Sequence, residues 1–246
     1  MKHPLHGCYC ILKKPVVPEG FRVTTMTDKV TCVVAVTKKN PESWDGTITV
    51  AMTGASGIQY GLRLVECLLQ ANRQVYLLMS KPAQIVMGMD TDIPVPTRAS
   101  DAQRQFSELY NAAPGQLLAF GQEEWTAPVA SGSGVSDAMV VCPCTTGTLA
   151  SLAAGLCTNL TERAADVVLK ENRRLIVMPR EMPFSVIHLE NMLKLARMGA
   201  IIMPPNPAFY NRPTTLDEII DFIVARVLDQ LDVPQTLMPR WGIDQA

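Results

Sequence analysis

The chain has 246 residues, a hydrophobic content of 48% and a formal net charge of −1. That length supports one good-sized core, and that composition excludes a disordered chain and any bulk field that would recruit nucleic acid. No apolar run reaches the roughly 20 residues that span a bilayer, and seven cysteines without a regular framework read as reduced thiols of a cytoplasmic protein. Cys142-Pro143-Cys144 has one intervening residue and no His or Cys elsewhere to complete a zinc pattern, so no metal site is expected.

Residues 1–46 carry seven Lys/Arg against four Asp/Glu, a net of +3, while residues 47–246 have 15 against 19, a net of −4. Val30 to Val36 has the composition of a short strand, but Pro4, Pro15, Pro18 and Pro41 break the rest. The segment lacks the apolar region of a secretory signal and the arginine-rich, acid-poor character of a transit peptide. It is read as an extension outside a single core domain, residues 47–246.

From Thr47 strands and helices alternate. Ile48–Met52 reads as a buried strand, and Thr53-Gly54-Ala55-Ser56-Gly57 as a tight turn into an amphipathic helix, 58–71. Gln74–Met79 is a second apolar run, and Pro82 after Ser80-Lys81 suits a helix start, with the helix running through Met87. Residues 92–121 are polar and irregular, with a capping box at Ser100-Asp101-Ala102-Gln103 for one short helix. After a Ser-Gly loop at 131–134, Ala138–Val141 is a third buried strand, turning through 142–148 into a helix over 149–155. Then come a helix over 160–171, a strand over 174–178, a helix over 184–197 and a strand over 200–203. A stiff loop at 204–207 precedes a last helix, which opens with the capping box Thr215-Leu216-Asp217-Glu218 and runs through Leu231. The alternation predicts a doubly wound α/β fold: a Rossmann- or flavodoxin-like parallel sheet with helices on both faces. Ligands in such folds bind outside the carboxyl ends of the strands. That rule gathers Gly54–Ser56, Ser80, Cys142–Thr148, Arg180 and Glu181 at one crevice.

The first turn matches neither the G-x-G-x-x-G spacing nor a Walker loop. Hydroxyls recur at the strand ends instead: Thr53, Ser56, Ser80, Thr145, Thr146 and Thr148. Each alone is an ordinary helix cap. Together on one edge, with backbone N–H groups, they suit a monophosphate and the polar rim of a flat ring, as in a mononucleotide flavin. Arg163 and Lys170 are seven apart on a helix, so they share a face. That face is read equally as a clamp for a phosphate leaving group or as a solvated surface with an Asp166–Lys170 ion pair. Arg180 and Glu181 follow a buried strand and are expected to point into the crevice, Glu181 as an acid or base whose burial raises its pKa. His188, on an apolar helix, is read as a packed core histidine.

Several of these pieces occur together and in order in one known family. Met52-Thr53-Gly54-Ala55-Ser56-Gly57, Ser80-Lys81, Ala130-Ser131-Gly132-Ser133, Cys142-Pro143-Cys144, the run 162–171, Pro179-Arg180-Glu181, His188–Leu193, Ala208-Phe209-Tyr210 and Pro239-Arg240-Trp241 make residues 47–246 resemble the UbiX-type flavin prenyltransferases. Members of that family alkylate reduced FMN with a dimethylallyl group without a metal, making the prenylated FMN used by UbiD-type decarboxylases. The resemblance implies that Gly54, Ala55, Ser56, Ser80, Thr145, Thr146, Gly147, Thr148 and Arg180 bind FMN. It implies that Arg163, Lys170, Tyr210, Arg226 and Trp241 bind the dimethylallyl phosphate, with Tyr210 and Arg226 coming from a neighbouring subunit of a dodecamer. Ser56 and Glu181 match a pair implicated in proton traffic. Asp90 stands where relatives commonly place a glutamate, one methylene longer. Two other functions compete: a non-catalytic flavin-binding or carrier protein, and a flavin-dependent cysteine decarboxylase. The latter needs a histidine base near the first helix, and the sequence has none between His6 and His188.

Overall fold

A computed structural model describes residues 44–240 and Gly242. The expected strand at Val30–Val36 and the candidate Trp241 lie outside the described residues.

Six strands form one parallel sheet: β1 (Thr47–Met52), β2 (Gln74–Met79), β3 (Leu117–Phe120), β4 (Ala138–Cys144), β5 (Arg174–Pro179) and β6 (Ile201–Ile202). Their order across the sheet is β3-β2-β1-β4-β5-β6. The helices between and after them are α1 (Ile58–Gln70), α2 (Lys81–Asp90), α3 (Ala99–Leu109), α4 (Thr146–Ala154), α5 (Leu160–Lys170), α6 (Val186–Arg197) and α7 (Leu216–Gln230).

Strand alternation distributes the core to both faces. Ile48, Val50 and Met52 of β1 pack with α1, α2, α3 and α7, while Ala51 of the same strand packs on the side of α4, α5 and α6. The near-continuous burial of β1 and β4 is what a sheet covered on both faces requires. The doubly wound reading therefore holds. The chain winds outward from β1 toward β3 and then from β4 toward β6, so the order reverses between β1 and β4, and the carboxyl ends of those two strands frame a crevice.

Several local expectations are corrected. The stretch read as irregular contains β3, a four-residue strand pairing with β2 at the sheet edge. The Ser100 capping box is absent: α3 begins at Ala99 with no side-chain cap, and Gln103 instead accepts the Ala119 N–H at 3.1 Å, tying α3 to β3. His188 is a cap rather than a core residue. Its Nδ1 accepts the Ser185 N–H at 3.2 Å, and the Ser185 hydroxyl accepts the His188 N–H at 3.3 Å. No helix among the described residues is long and apolar enough to cross a membrane.

Candidate active site

The carboxyl edge is knitted by strand-end residues whose register already aligns them: Met52 opposite Met79, Ala51 opposite Val141, Cys144 opposite Pro179. Thr53 is the central stitch. Its buried hydroxyl donates to the Pro143 carbonyl and accepts the Thr145 N–H, both at 2.8 Å. Further ties run from Ser80 N to Met52 O and from Arg180 N to Cys144 O, each 3.1 Å. Thr53, Ser80, Thr145 and Arg180 thus form one hydrogen-bonded line along the crevice.

Two of the expected ligand hydroxyls are also helix caps. Ser80 Oγ accepts the Ala83 N–H at 3.1 Å, and Thr145 Oγ1 accepts the Thr148 N–H at 3.0 Å. Gly54 is fixed by packing, since a Cβ there would lie 2.3 Å from Cβ of Pro82, at the start of α2. The N–H groups of Gly54, Ser56, Thr146 and Gly147 meet no protein acceptor among the described residues, which leaves four donors on one edge for an anionic or carbonyl-bearing ligand. The residues present fit FMN: unspent N–H groups for its phosphate and ring carbonyls, and half-buried hydroxyls beside them.

Ser56 has a partner that sequence reasoning did not give it. Its hydroxyl donates to Asp90 Oδ2 at 2.9 Å, and the same oxygen accepts the Gly57 N–H at 2.8 Å. Gln59 Nε2 donates to the Asp90 carbonyl at 2.7 Å, so the end of α2 is fastened to the start of α1. The N-cap of α1, Gly57, has φ +100°, a left-handed conformation that glycine adopts without steric cost. Asp90 lies 34 residues from Ser56, and no sequence signal links them.

Glu181 departs from expectation. It is exposed, and its carboxylate turns back to accept its neighbour's N–H, Met182, at 3.1 Å. Arg180 is also exposed. The burial expected of Glu181 is therefore not found in the single chain.

Arg163 and Lys170 do share a face. Arg163 Nε donates to the Ala130 carbonyl at 3.0 Å, and a Cβ on Gly132 would sit 3.1 Å from Lys170 Nζ. The expected Asp166–Lys170 pair is not formed: Asp166 pairs with Arg163 at 2.8 Å, and Lys170 pairs with Glu171. Lys170 ends α5 just before β5 begins, so it sits near the amino edge of the sheet, about 20 Å along β5 from Arg180. Tyr210 and Arg226 meet elsewhere, in a cleft of about 670 Å³ beside α7 that Arg240 also lines. Tyr210 packs edge-on against Phe222, and Arg226 pairs with Asp229 at 2.6 Å. One chain thus brings together the FMN-type residues and separates them from Lys170, while Tyr210 and Arg226 line a cleft of their own.

Comparison with known proteins shows the family. A match to the flavoprotein family spans residues 36–228. The flavin prenyltransferase UbiX of Pseudomonas aeruginosa is 55% identical over 195 residues, which is 79% of this chain and 93% of that protein. The chain belongs to the flavoprotein family and to its UbiX-type branch. Solved structures agree. A dodecameric FMN-dependent UbiX-like decarboxylase from Escherichia coli O157:H7 superposes with a TM-score of 0.71 at 41% identity, over 80% of this chain and 99% of that one. AnUbiX in complex with FMN and dimethylallyl pyrophosphate gives 0.71 at 39% identity, over 80% and 97%. UbiX-type membership accounts for the absence of G-x-G-x-x-G: the edge is built from strand-end hydroxyls and free N–H groups rather than a glycine fingerprint.

Cys142 and Cys144 are buried at the end of β4, beneath the edge. Burial pushes both Cys142 and Cys144 far above the usual thiol range, so neither forms a thiolate near neutral pH.

Proposed function

We propose that this protein transfers a dimethylallyl group from dimethylallyl phosphate to reduced FMN, first to N5 and then to ring carbon C6, yielding prenylated FMN for a UbiD-type decarboxylase. The observation that carries this reading is the Ser56–Asp90 hydrogen bond beside four unspent N–H donors on the flavin edge of a UbiX-type chain. A carrier would need the donors but not a hydroxyl held by a carboxylate.

Reduced FMN supplies the nucleophilic nitrogen and ring carbon. The protein's residues do the rest. Gly54, Ala55, Ser80 and the segment Thr145–Thr148 hold the flavin, with Arg180 at the far side of the crevice. Arg163 and Lys170 are the cations for the departing phosphate, whose charge grows as the allylic C–O bond breaks. Because Lys170 is remote from Arg180 in its own chain, these cations, like Tyr210, Arg226 and Trp241, serve the flavin edge of a neighbouring copy. Assembly as a homo-oligomer of dodecameric type meets that need, and a UbiX-like neighbour is dodecameric. Holding the allylic carbon against N5 replaces a bimolecular encounter. The second bond joins ring carbon C6 to the tertiary carbon of the prenyl alkene, whose π bond breaks as its other carbon takes up a proton, and C6 then gives up its ring proton. Glu181 accepts it, with Ser56 as the relay and Asp90 fixing the direction of the Ser56 hydroxyl. No residue group in this scheme calls for a metal, and the reaction belongs to a cytoplasmic compartment where FMN is kept reduced.

The test is mass analysis of the flavin released after turnover with dimethylallyl monophosphate and, separately, the diphosphate. A gain of one prenyl unit is expected with at least one donor. Flavin that binds yet leaves unchanged with both donors favours the carrier reading.

A further inference from the structure

A second cavity, of about 550 Å³, opens over the carboxyl ends of β2 and β3, a size that suits a small organic ligand. Its lining includes apolar Leu77 and Met79 from β2, Ala102 from α3 and Phe120 from β3. It shares none of Gly54–Ser56, Thr145–Thr148 or Arg180 with the flavin edge.

Two cations line it: Lys81, the first residue of α2, and Arg98, the N-cap of α3. A helix N-terminus is the positive end of the backbone dipole, so each charge stands at the end that disfavours it. Neither forms an ion pair among the described residues. The first-turn carboxylate of α3, Asp101, is spent on Arg104 at 3.2 Å. Glu124, which also lines the cavity, accepts the Gly121 N–H at 3.0 Å rather than meeting either cation.

Gln122, also in the lining, carries an unpaired polar atom. Its Nε2 is buried and meets no acceptor among the described residues, although its Oε1 accepts the Thr161 hydroxyl at 3.0 Å. Whichever way the amide faces, one terminal atom is spent on Thr161 and the other is left over. Native proteins leave few buried polar atoms unpaired, and each asks for a cause. Two cations outside any ion pair, the carboxylates of Glu123 and Glu124, and an unspent amide surround apolar side chains.

We propose that this cavity is a binding site for a small organic anion. A carboxylate or phosphate head sits between Lys81 and Arg98, and a compact apolar body lies against Leu77, Met79 and Phe120. The proposal does not depend on prenyl transfer, and its failure would leave that reading untouched.

Calorimetric titration of the full-length, FMN-saturated protein tests it, with phenyl phosphate, benzoate and uncharged benzyl alcohol as probes. At least one of the two anions should saturate one site per chain, with benzyl alcohol at least about tenfold weaker. The Lys81→Gln/Arg98→Gln variant should weaken the anion at least about tenfold, and Arg163→Gln should leave it unchanged. Arg98→Gln alone, at an exposed cap, serves if the double variant does not fold. Whichever anion binds more tightly identifies the head group. The proposal is overturned by no saturable binding of either anion, by equal affinity in wild type and cation variants, or by loss of binding in Arg163→Gln instead.

Discussion

At the scale of single residues, the flavin edge separates two hydroxyls that look alike in the sequence. Thr53 is buried and turned inward, bridging the Pro143 carbonyl and the Thr145 N–H, so its hydroxyl hydrogen is already spent within the protein. Thr53→Val keeps the shape but orphans a buried N–H. It is expected to cost about 1–3 kcal/mol in urea-monitored stability, and to weaken FMN binding because the β1 and β4 turns lose their tether. Ser56 is exposed and its hydroxyl is tied to Asp90, which makes it the hydroxyl proposed as the relay. Asp90→Asn keeps an acceptor for Gly57 N–H while removing the charge that directs the Ser56 proton. FMN affinity should stay within about twofold while the prenylation rate falls about 10- to 100-fold; an unchanged rate would return Asp90 to a purely structural tie. Both distinctions were out of reach of the sequence, because the partners lie 34 and about 90 residues away along the chain.

Among the elements, what was legible depended on whether the signal was local. The turn 53–57, the Ser80 and Thr215 caps and the helical stripe of α1 are each encoded within a few residues, and each appears where periodicity and capping chemistry put it. β3 is a short edge strand without alternation, so nothing local distinguishes it from loop; its pairing with β2 creates it. His188 sits at the third position of α6, where its ring can cap Ser185, and an apolar neighbourhood in sequence hid that role. Glu162 is a further case in which a charge on a helix is buried for a reason. Its carboxylate accepts the N–H and the hydroxyl of Thr158, both at 2.7 Å, and so clamps the loop between α4 and α5. Burial pushes its pKa up, but these hydrogen bonds outweigh burial and leave it below the ordinary glutamate value. A lowered folded-state pKa contributes stability that is fully present above the unfolded value of about 4.3 and is lost as pH falls through the folded one. Acid titration of stability should therefore steepen below about pH 4.3 in the wild type and flatten there in Glu162→Gln, with the difference absent at pH 7 only if the clamp carries no charge-dependent weight.

For the whole molecule, the sequence named candidate residues without placing them in space. The crevice rule correctly gathered the residues that follow β1, β2, β4 and β5, because parallel strands put their carboxyl ends on one edge. The cations escaped that rule. Lys170 lies at the end of a helix that runs back toward the amino edge, and Tyr210 and Arg226 belong to the cleft beside α7. Met182, Val186, Ile187 and Phe209 are exposed large apolar side chains of the single chain, the kind of surface an assembling subunit covers. If the sites form between chains, two inactive variants must rescue each other. Ser56→Ala lacks the relay but keeps Arg226, and Arg226→Gln lacks the phosphate contact but keeps Ser56. Co-assembled at equal amounts, random mixing leaves about a quarter of interfacial sites with both wild-type residues. Prenylation should recover to about that fraction of the wild-type rate. Recovery requires co-assembly, so mixing the separately folded oligomers should give none until subunits exchange. If Ser56 and Arg226 instead served one site within a single chain, every site in the mixture would lack one of them, and co-assembly would restore nothing.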